Sequence, residues 1–177
     1  MKWLKGVLFA LIGLVAFLWL GGYALSSKFT VARSVEIAAP PAKAYALVAN
    51  PRHWKNWTVW NQRDPSMKIT YFGPESGGTG AGWSWASKSE GDGKMTFTAA
   101  EADKRVAYDL YFPDFGTTSA GDLRFEAAGQ GSKVTWTMNG DMGTNPLFRW
   151  IALFSDRMVG GDFEAGLANL KALAEKP

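Results

Sequence analysis

Apolar and polar positions follow three different rhythms along the chain. The first is a stretch without charge from Gly6 to Ser27, 22 residues whose centre reads Val7-Leu8-Phe9-Ala10-Leu11-Ile12-Gly13-Leu14-Val15-Ala16-Phe17-Leu18-Trp19-Leu20. As a helix rising about 1.5 Å per residue it is ~33 Å long, close to the ~30 Å thickness of bilayer hydrocarbon. Trp3 stands near one end and Trp19 and Tyr23 near the other, where amphipathic rings favour the membrane–water boundary. With no polar face, the stretch is unsuited to being an ordinary helix of a folded domain.

The second rhythm is alternation. Thr30 to Ala38 sets Val31, Arg33, Val35 and Ile37 against Ala32, Ser34 and Glu36, which predicts a strand ended by Pro40-Pro41. Ala42 to Ala49 reads as a short helix. Asn50-Pro51 closes it and opens a second short helix carrying Trp54 and Trp57 three residues apart. Six strand-like runs follow: Met67–Phe72, Ala81–Ser87, Lys94–Ala100, Arg105–Phe112, Ser119–Ala127 and Ser132–Gly140. Their connections are short and rich in glycine, so neighbouring strands are antiparallel and form a meander.

The third rhythm is helical. Asn145-Pro146 supplies a cap and a first-turn proline. Leu147, Ile151, Phe154 and Met158, then Phe163, Leu167, Leu170 and Ala174, recur at helical spacing. One face of a curved antiparallel sheet must be covered, and this last helix is the one long amphipathic element able to cover it. The pattern predicts an α+β chain: a seven-stranded curved antiparallel sheet around a long C-terminal helix, preceded by one N-terminal transmembrane helix. The expected division is an anchor over 1–28 and a single domain over 29–177.

Composition narrows the chemistry. The 177 residues are 47% hydrophobic and 20% charged, and 14% are aromatic, which excludes intrinsic disorder. There is no cysteine, hence no disulfide framework, thiolate metal site or cysteine nucleophile, and the lone histidine, His53, cannot build an ordinary zinc site. No cofactor is expected. The net charge of +3 is due to Lys2, Lys5 and Lys28, which bracket the apolar stretch; the rest carries 16 basic and 16 acidic residues. A nucleic-acid partner, which would need a basic patch on the domain itself, is therefore not expected.

The slight excess of cations before the apolar stretch favours the N-terminus inside and the domain outside. A cleavable signal peptide is the competing reading, because Gly22-Tyr23-Ala24 and Ala24-Leu25-Ser26 offer small residues at cleavage positions. Signal peptides, however, have apolar regions of about 7–15 residues, and the greater length here favours an uncleaved anchor.

Catalytic signals are sparse. His53 sits on a short exposed helix and reads as a surface residue. Asp64, Asp114 and Asp141 fall in loops, where Asp caps turns. Arg124 and Glu126 lie on the outward face of a strand, where cross-strand pairing accounts for them. Gly77 to Gly82 is glycine-rich but precedes a strand and lacks the Lys-Ser/Thr ending of a phosphate loop.

The order of elements, together with Arg33-Ser34-Val35-Glu36-Ile37-Ala38-Ala39-Pro40, Trp54-Lys55-Asn56-Trp57, Arg105-Val106-Ala107-Tyr108-Asp109-Leu110 and Trp136-Thr137-Met138-Asn139-Gly140-Asp141-Met142, resembles the START-like superfamily. Within it the chain is similar to bacterial polyketide cyclase/dehydrase-type SRPBCC proteins over roughly residues 30–175. The resemblance implies a helix-grip fold with a hydrophobic cavity between sheet and C-terminal helix. Members bind lipids, polyketides and other apolar ligands, some catalyse cyclisation or dehydration, and no family-wide catalytic motif is available to carry over. With the N-terminal stretch, it implies a single-pass protein of a bacterial inner membrane, its domain on the periplasmic side.

On this basis the cavity-lining candidates are Tyr71, Trp85, Phe97, Tyr108, Leu110, Phe112, Phe125 and Trp136 on inward strand faces, and Met158 and Gly161 on the last helix. Most of the aromatics are equally suited to filling a core; Tyr and Trp add polar handles that packing does not need. Gly160, Gly161 and Gly166 each cost ~1 kcal/mol in a helix relative to alanine. They predict either a kink with side-chain volume vacated for a ligand, or close helix–sheet packing. Trp54, Trp57 and Trp60 read as a packed corner at one end of the cavity. Three functions follow as expectations: a membrane-tethered binder of a hydrophobic small molecule or lipid, a cyclase/dehydrase using hydroxyls such as Tyr71 or Tyr108, or an envelope interaction protein with a solid core.

Overall fold

The computed structural model describes residues 2–114 and 116–177. An N-terminal helix, α1 (Lys2–Tyr23), precedes strand β1 (Lys28–Ile37), helix α2 (Pro41–Val48), a 3-10 helix (Pro51–Asn56) and the single turn α3 (Trp60–Arg63). Six strands follow: β2 (Lys68–Phe72), β3 (Gly82–Ala86), β4 (Gly93–Glu101), β5 (Arg105–Phe112), β6 (Thr117–Ala128) and β7 (Gly131–Asp141). Helix α4 (Pro146–Ala174) ends the chain. The second short helix expected from sequence is this 3-10 turn, with Trp57 one residue beyond it; α3 was not anticipated.

The seven strands form one antiparallel sheet in the order β1-β7-β6-β5-β4-β3-β2. The meander runs from β2 to β7, and β1 closes on β7 at the far edge. The short helices carry the chain from one edge of the sheet to the other. A register shift between Phe97 and Ala99 bends β4, as bulges do. The glycine-rich β2–β3 connection is fastened rather than free: Gly78 N–H donates to the Ala49 carbonyl and Gly80 N–H to Phe97. At Gly77, with φ of +84°, an added Cβ would lie 2.4 Å from the Ala49 oxygen.

Helix α4 begins as its sequence dictates, with the Asn145 side chain accepting from Leu147 N–H and Pro146 in the first turn. Its second half grips the sheet: Phe163, Leu167, Leu170 and Ala174 are all at most 2% exposed. In the first half the covered side carries small residues, Ala152 and Ser155, at 6% and 4% exposed. Leu147, Phe154 and Met158 are 41%, 48% and 64% exposed. Spacing within each set is helical, as the pattern predicts, but the two sets lie on opposite sides of the helix. At ~100° per residue the first set centres near 0° and the second near 170°, so only the second covers the sheet.

The glycines of α4 resolve in favour of close packing. A Cβ on Gly160 would lie 2.1 Å from the Arg33 guanidinium, which bonds Asp156 and Glu164 in the same place. One on Gly166 would touch Trp136 at 3.2 Å. Gly161 faces outward with nothing within 4 Å of the added carbon.

The start of α4 packs on the end of α1. Buried Gly22 abuts Pro146, and Trp150 donates its indole N–H to the Leu18 carbonyl (2.9 Å). The Arg149 guanidinium donates to the carbonyls of Tyr23 and Leu25. The stretch Trp3–Tyr23 is long and apolar enough to cross a membrane, with mean hydropathy 2.2.

Candidate functional site

Strand register decides where the fold is hollow. Reading across β2 to β5, Tyr71, Trp83, Met95 and Leu110 are mutual neighbours and form one inward row. The next row, from β4 to β7, is Phe97, Tyr108, Gly121 and Met138. The row after it is Val106, Leu123, Trp136 and Arg33. In this last row the Trp136 ring stacks flat on Phe163 of α4, centroids 3.8 Å apart and 5° from parallel, so helix and sheet touch there. In the first row they stand apart.

The space between is a cavity of about 150 Å³. Its buried wall is Trp54, Trp83, Met95, Tyr108, Leu110, Met138 and Phe163. Its rim is half-buried: Trp60 and Asn61 on α3, Met67, Ile69 and Tyr71 by β2, Trp85 and Phe112, Glu90 of the β3–β4 turn, and Val159 of α4.

Of the sequence candidates, Tyr71, Trp85, Tyr108, Leu110 and Phe112 line this cavity. The other five stand elsewhere. Phe97 is 1% exposed and packs edge-on against Trp83. Phe125 meets Tyr45 edge-on under α2. Trp136 is held behind Tyr108 by its stack on Phe163. Met158 and Gly161 point away from the sheet, for the reason of phase given above. Alternation identified inward faces correctly, but only register and the Trp136–Phe163 contact determine which inward residues meet empty space.

Alternation alone also places Trp83 beside Trp85, Met95 beside Phe97, and Met67 and Ile69 beside Tyr71. Val159 and Phe163 follow from helical spacing. Glu90 carried no sequence signal, because its place depends on the fold of a turn.

The tryptophan corner has two parts. Trp54 and Trp57 are 1% and 0% exposed, and their indole N–H groups donate to the Val48 and Leu47 carbonyls at the end of α2. They are a packed corner, although the Trp54 ring also walls the cavity. Trp60 belongs to the rim, where its N–H donates to Asp162 (3.0 Å). Arg63 bridges Asp162 of α4 (2.7 Å) and Glu90 (2.9 Å), tying three segments together at the cavity mouth.

The polar groups inside are mostly engaged. Thr58 donates to the Trp54 carbonyl. The Tyr108 hydroxyl accepts from the Trp136 indole at 2.8 Å. Burial drives its pKa up, opposed by that hydrogen bond, so it is neutral at physiological pH. Tyr71, at the rim, is also shifted upward by desolvation, while the Arg52 guanidinium 4.7 Å from its ring centre pulls the other way. His53 is exposed and meets the Ala46 carbonyl, away from the cavity. Asp64 and Asp141 accept from Ser66 and Gly143, as turn caps do. Among the described residues no cluster of His, Asp and Glu could hold a metal.

Solved structures share this architecture. Truncated norcoclaurine synthase from Thalictrum flavum aligns over 85% of this chain and 95% of its own, with a TM-score of 0.65 and 12% identity. A Thermobifida fusca protein aligns over 82% and 92% (TM-score 0.62, 22% identity), and a Chromobacterium violaceum protein over 84% and 98% (TM-score 0.61, 13% identity). At these identities the likeness establishes the START-like helix-grip fold. No curated protein matches the chain. The family model described as polyketide cyclase / dehydrase and lipid transport matches residues 28–175, and the chain belongs to that SRPBCC-type family.

Proposed function

We propose that this chain is a membrane-tethered binding domain that holds a hydrophobic small molecule in the cavity between β2–β5 and α4. The observation that carries the reading is the buried wall: aromatic and aliphatic side chains, with hydroxyls that are neutral or already bonded, while Lys55, Asn61 and Glu90 stand at the more exposed rim. A cyclase or dehydrase needs a group that moves a proton near neutral pH. Tyr108 and Tyr71 are both shifted upward, and the carboxylate at the rim, Glu90, is fastened to Arg63. These features favour binding over turnover.

Size restricts the guest. An apolar cavity of ~150 Å³ accommodates about one benzene ring, and drug-sized pockets begin near 300 Å³. A monocyclic aromatic or a short branched hydrocarbon unit fits the space; a whole lipid tail fits only if rim side chains move.

Tethering is supported by the α1–α4 contact. Cleavage at either small-residue site would strip Gly22, Leu18 and Tyr23 from Pro146, Trp150 and Arg149, leaving these without their partners. α1 is thus a packing element of the folded protein as well as an apolar span, and retention as an anchor follows from that on this reading. Native mass spectrometry of the detergent-extracted full chain tests both points. The expected result is an uncleaved mass carrying a small apolar adduct. Empty protein from several expression hosts would count against the binder, and a mass lacking residues 1–24 or 1–26 would count against the anchor.

A further inference from the structure

Helix α4 has a second apolar face that the domain leaves uncovered. Leu147, Phe154 and Met158 fall within about 40° of one another. With Leu153, each is between 41% and 64% exposed. This stripe borders α1. Gly22 meets Pro146, Leu18 meets Trp150, and the rings of Phe17 and Trp150 are 6.1 Å apart. As the α1 number falls from 22 to 17, the α4 number rises, so the two chains run in opposite senses where they touch. α4 starts at the domain end of α1 and crosses it, with Trp150 level with Leu18; the contacts lie within Phe17–Leu25, and Phe9, Leu11 and Leu14 beyond them are more than half exposed.

The geometry points to the first half of α4 as a membrane-seated segment, its Leu147–Phe154–Met158 stripe immersed in the same bilayer that α1 crosses. The inference rests on α1 being a membrane anchor and goes beyond it by fixing the depth and tilt of the domain. Leu18 lies five residues inside Tyr23, ~7.5 Å along a helix, which matches the ~5–10 Å at which amphipathic helices sit in the headgroup–acyl boundary. The occupant is lipid because the stripe continues the lipid-facing surface of α1 across their contact. The charges agree. Arg149 lies at the end of α1 and Arg157 is exposed on the same half of α4, as expected beside anionic headgroups, while Asp156 is held by Arg33. Val159, which lines the cavity, is the residue after Met158. The cavity mouth, with its Arg63–Asp162–Glu90 bridge, is then held at the headgroup level, next to the acyl region where an apolar guest partitions.

The chain has no native cysteine, so single probes are simple to place. Phe154→Cys, Met158→Cys, Leu11→Cys and Glu126→Cys in the full chain would each carry a nitroxide, in nanodiscs of phosphatidylcholine and phosphatidylglycerol. Collision with oxygen reports lipid, and collision with a neutral nickel chelate reports water. High oxygen and low nickel access at 154 and 158, as at 11 and opposite to 126, is the expected result. Nickel access at 154 and 158 with oxygen access at 11 would overturn the seating and leave the anchor intact. Nickel access at 11 as well would overturn the anchor and the seating together. Exclusion of both reagents at 154 would mean that protein covers the stripe, and would overturn lipid as the occupant.

Discussion

Tyr108→Phe removes one oxygen from the molecule, and its effect should change with pH. The Tyr108 ring lies across Gly121, its neighbour on β6, where an added Cβ would stand 2.3 Å from the ring, and this brings the hydroxyl to Trp136 on β7. Both residues are 1% exposed. Deleting the acceptor leaves a buried indole N–H unpaired, which costs about 2 kcal/mol, or roughly 4–8 °C of Tm in a chain of this size. Alkaline pH reverses the comparison. Folding raises the Tyr108 pKa above the unfolded value of ~10, so above that pH the unfolded chain releases a proton that the folded chain keeps. The unfolded state then binds fewer protons, and wild-type stability falls by up to ~1.4 kcal/mol per pH unit from this group. The variant lacks that loss. Urea unfolding of both full chains in mild detergent, followed by tryptophan fluorescence from pH 7 to 11.5, should show a gap of about 2 kcal/mol up to pH 9. The gap should close by about pH 11.5. Tyr45 and Tyr71 are also shifted upward, so both proteins soften in alkali and only the difference reports Tyr108. Equal stability at pH 7 would mean that water in the cavity replaces the hydroxyl, and a constant gap through pH 11 would refute the burial argument.

Gly161→Ala should stabilise the chain by ~1 kcal/mol in the same urea assay, because it removes an interior helix glycine where nothing lies within 4 Å; guest retention should be unchanged. Leu110→Trp should fill the cavity and abolish the adduct seen by native mass spectrometry, at an overpacking cost of about 1–3 kcal/mol, whereas a retained adduct would place the guest elsewhere. Ser66 and Ser87 hold the Asp64 carboxyl below its ordinary value. Its contribution is therefore complete above the unfolded value of ~3.9 and lost as pH falls through the lower folded one. Asp64→Asn should flatten the acid limb of the urea midpoint below about pH 4, and an unchanged limb would show that the serine hydrogen bonds contribute little.

Strand positions and inward faces were legible because alternation and turn residues are local signals. Met67, Ile69 and Tyr71 do share a face, and Asn145-Pro146 does open the last helix. What was not legible depends on partners distant in sequence. Trp136 looked like a cavity residue until Phe163 was stacked on it. Phe125 needed Tyr45, and Gly160 needed Arg33, before either could be assigned to packing. The stripe from Leu147 to Met158 is as apolar as the one from Phe163 to Ala174. Its exposure follows from its phase, about 170° from the covering stripe, whereas the packing of α1 against Pro146 and Trp150 is a contact to which neither segment's own pattern points.

A cavity held beside a membrane, as proposed, faces a different selection problem from one in water. A guest dissolved among acyl chains has already left water, so moving it into an apolar pocket gains little from the hydrophobic effect. Discrimination must come from contacts that lipid tails do not make. Here the wall that would make them is aromatic and its rings are held by one another: Trp54 meets Trp83 at 5.2 Å and stands edge-on to Tyr108 at 5.7 Å, and Trp85 stands edge-on to Phe112 at 5.9 Å. Each edge-to-face or offset contact adds ~0.5–1.5 kcal/mol beyond area burial. Two or three such contacts to one ring would favour it over a saturated chain by roughly 5- to 2,000-fold. The same reasoning explains why an almost filled core is compatible with binding: large aromatic walls around a small hollow select shape and ring character, whereas a larger greasy void would offer a membrane solute nothing that the bilayer does not.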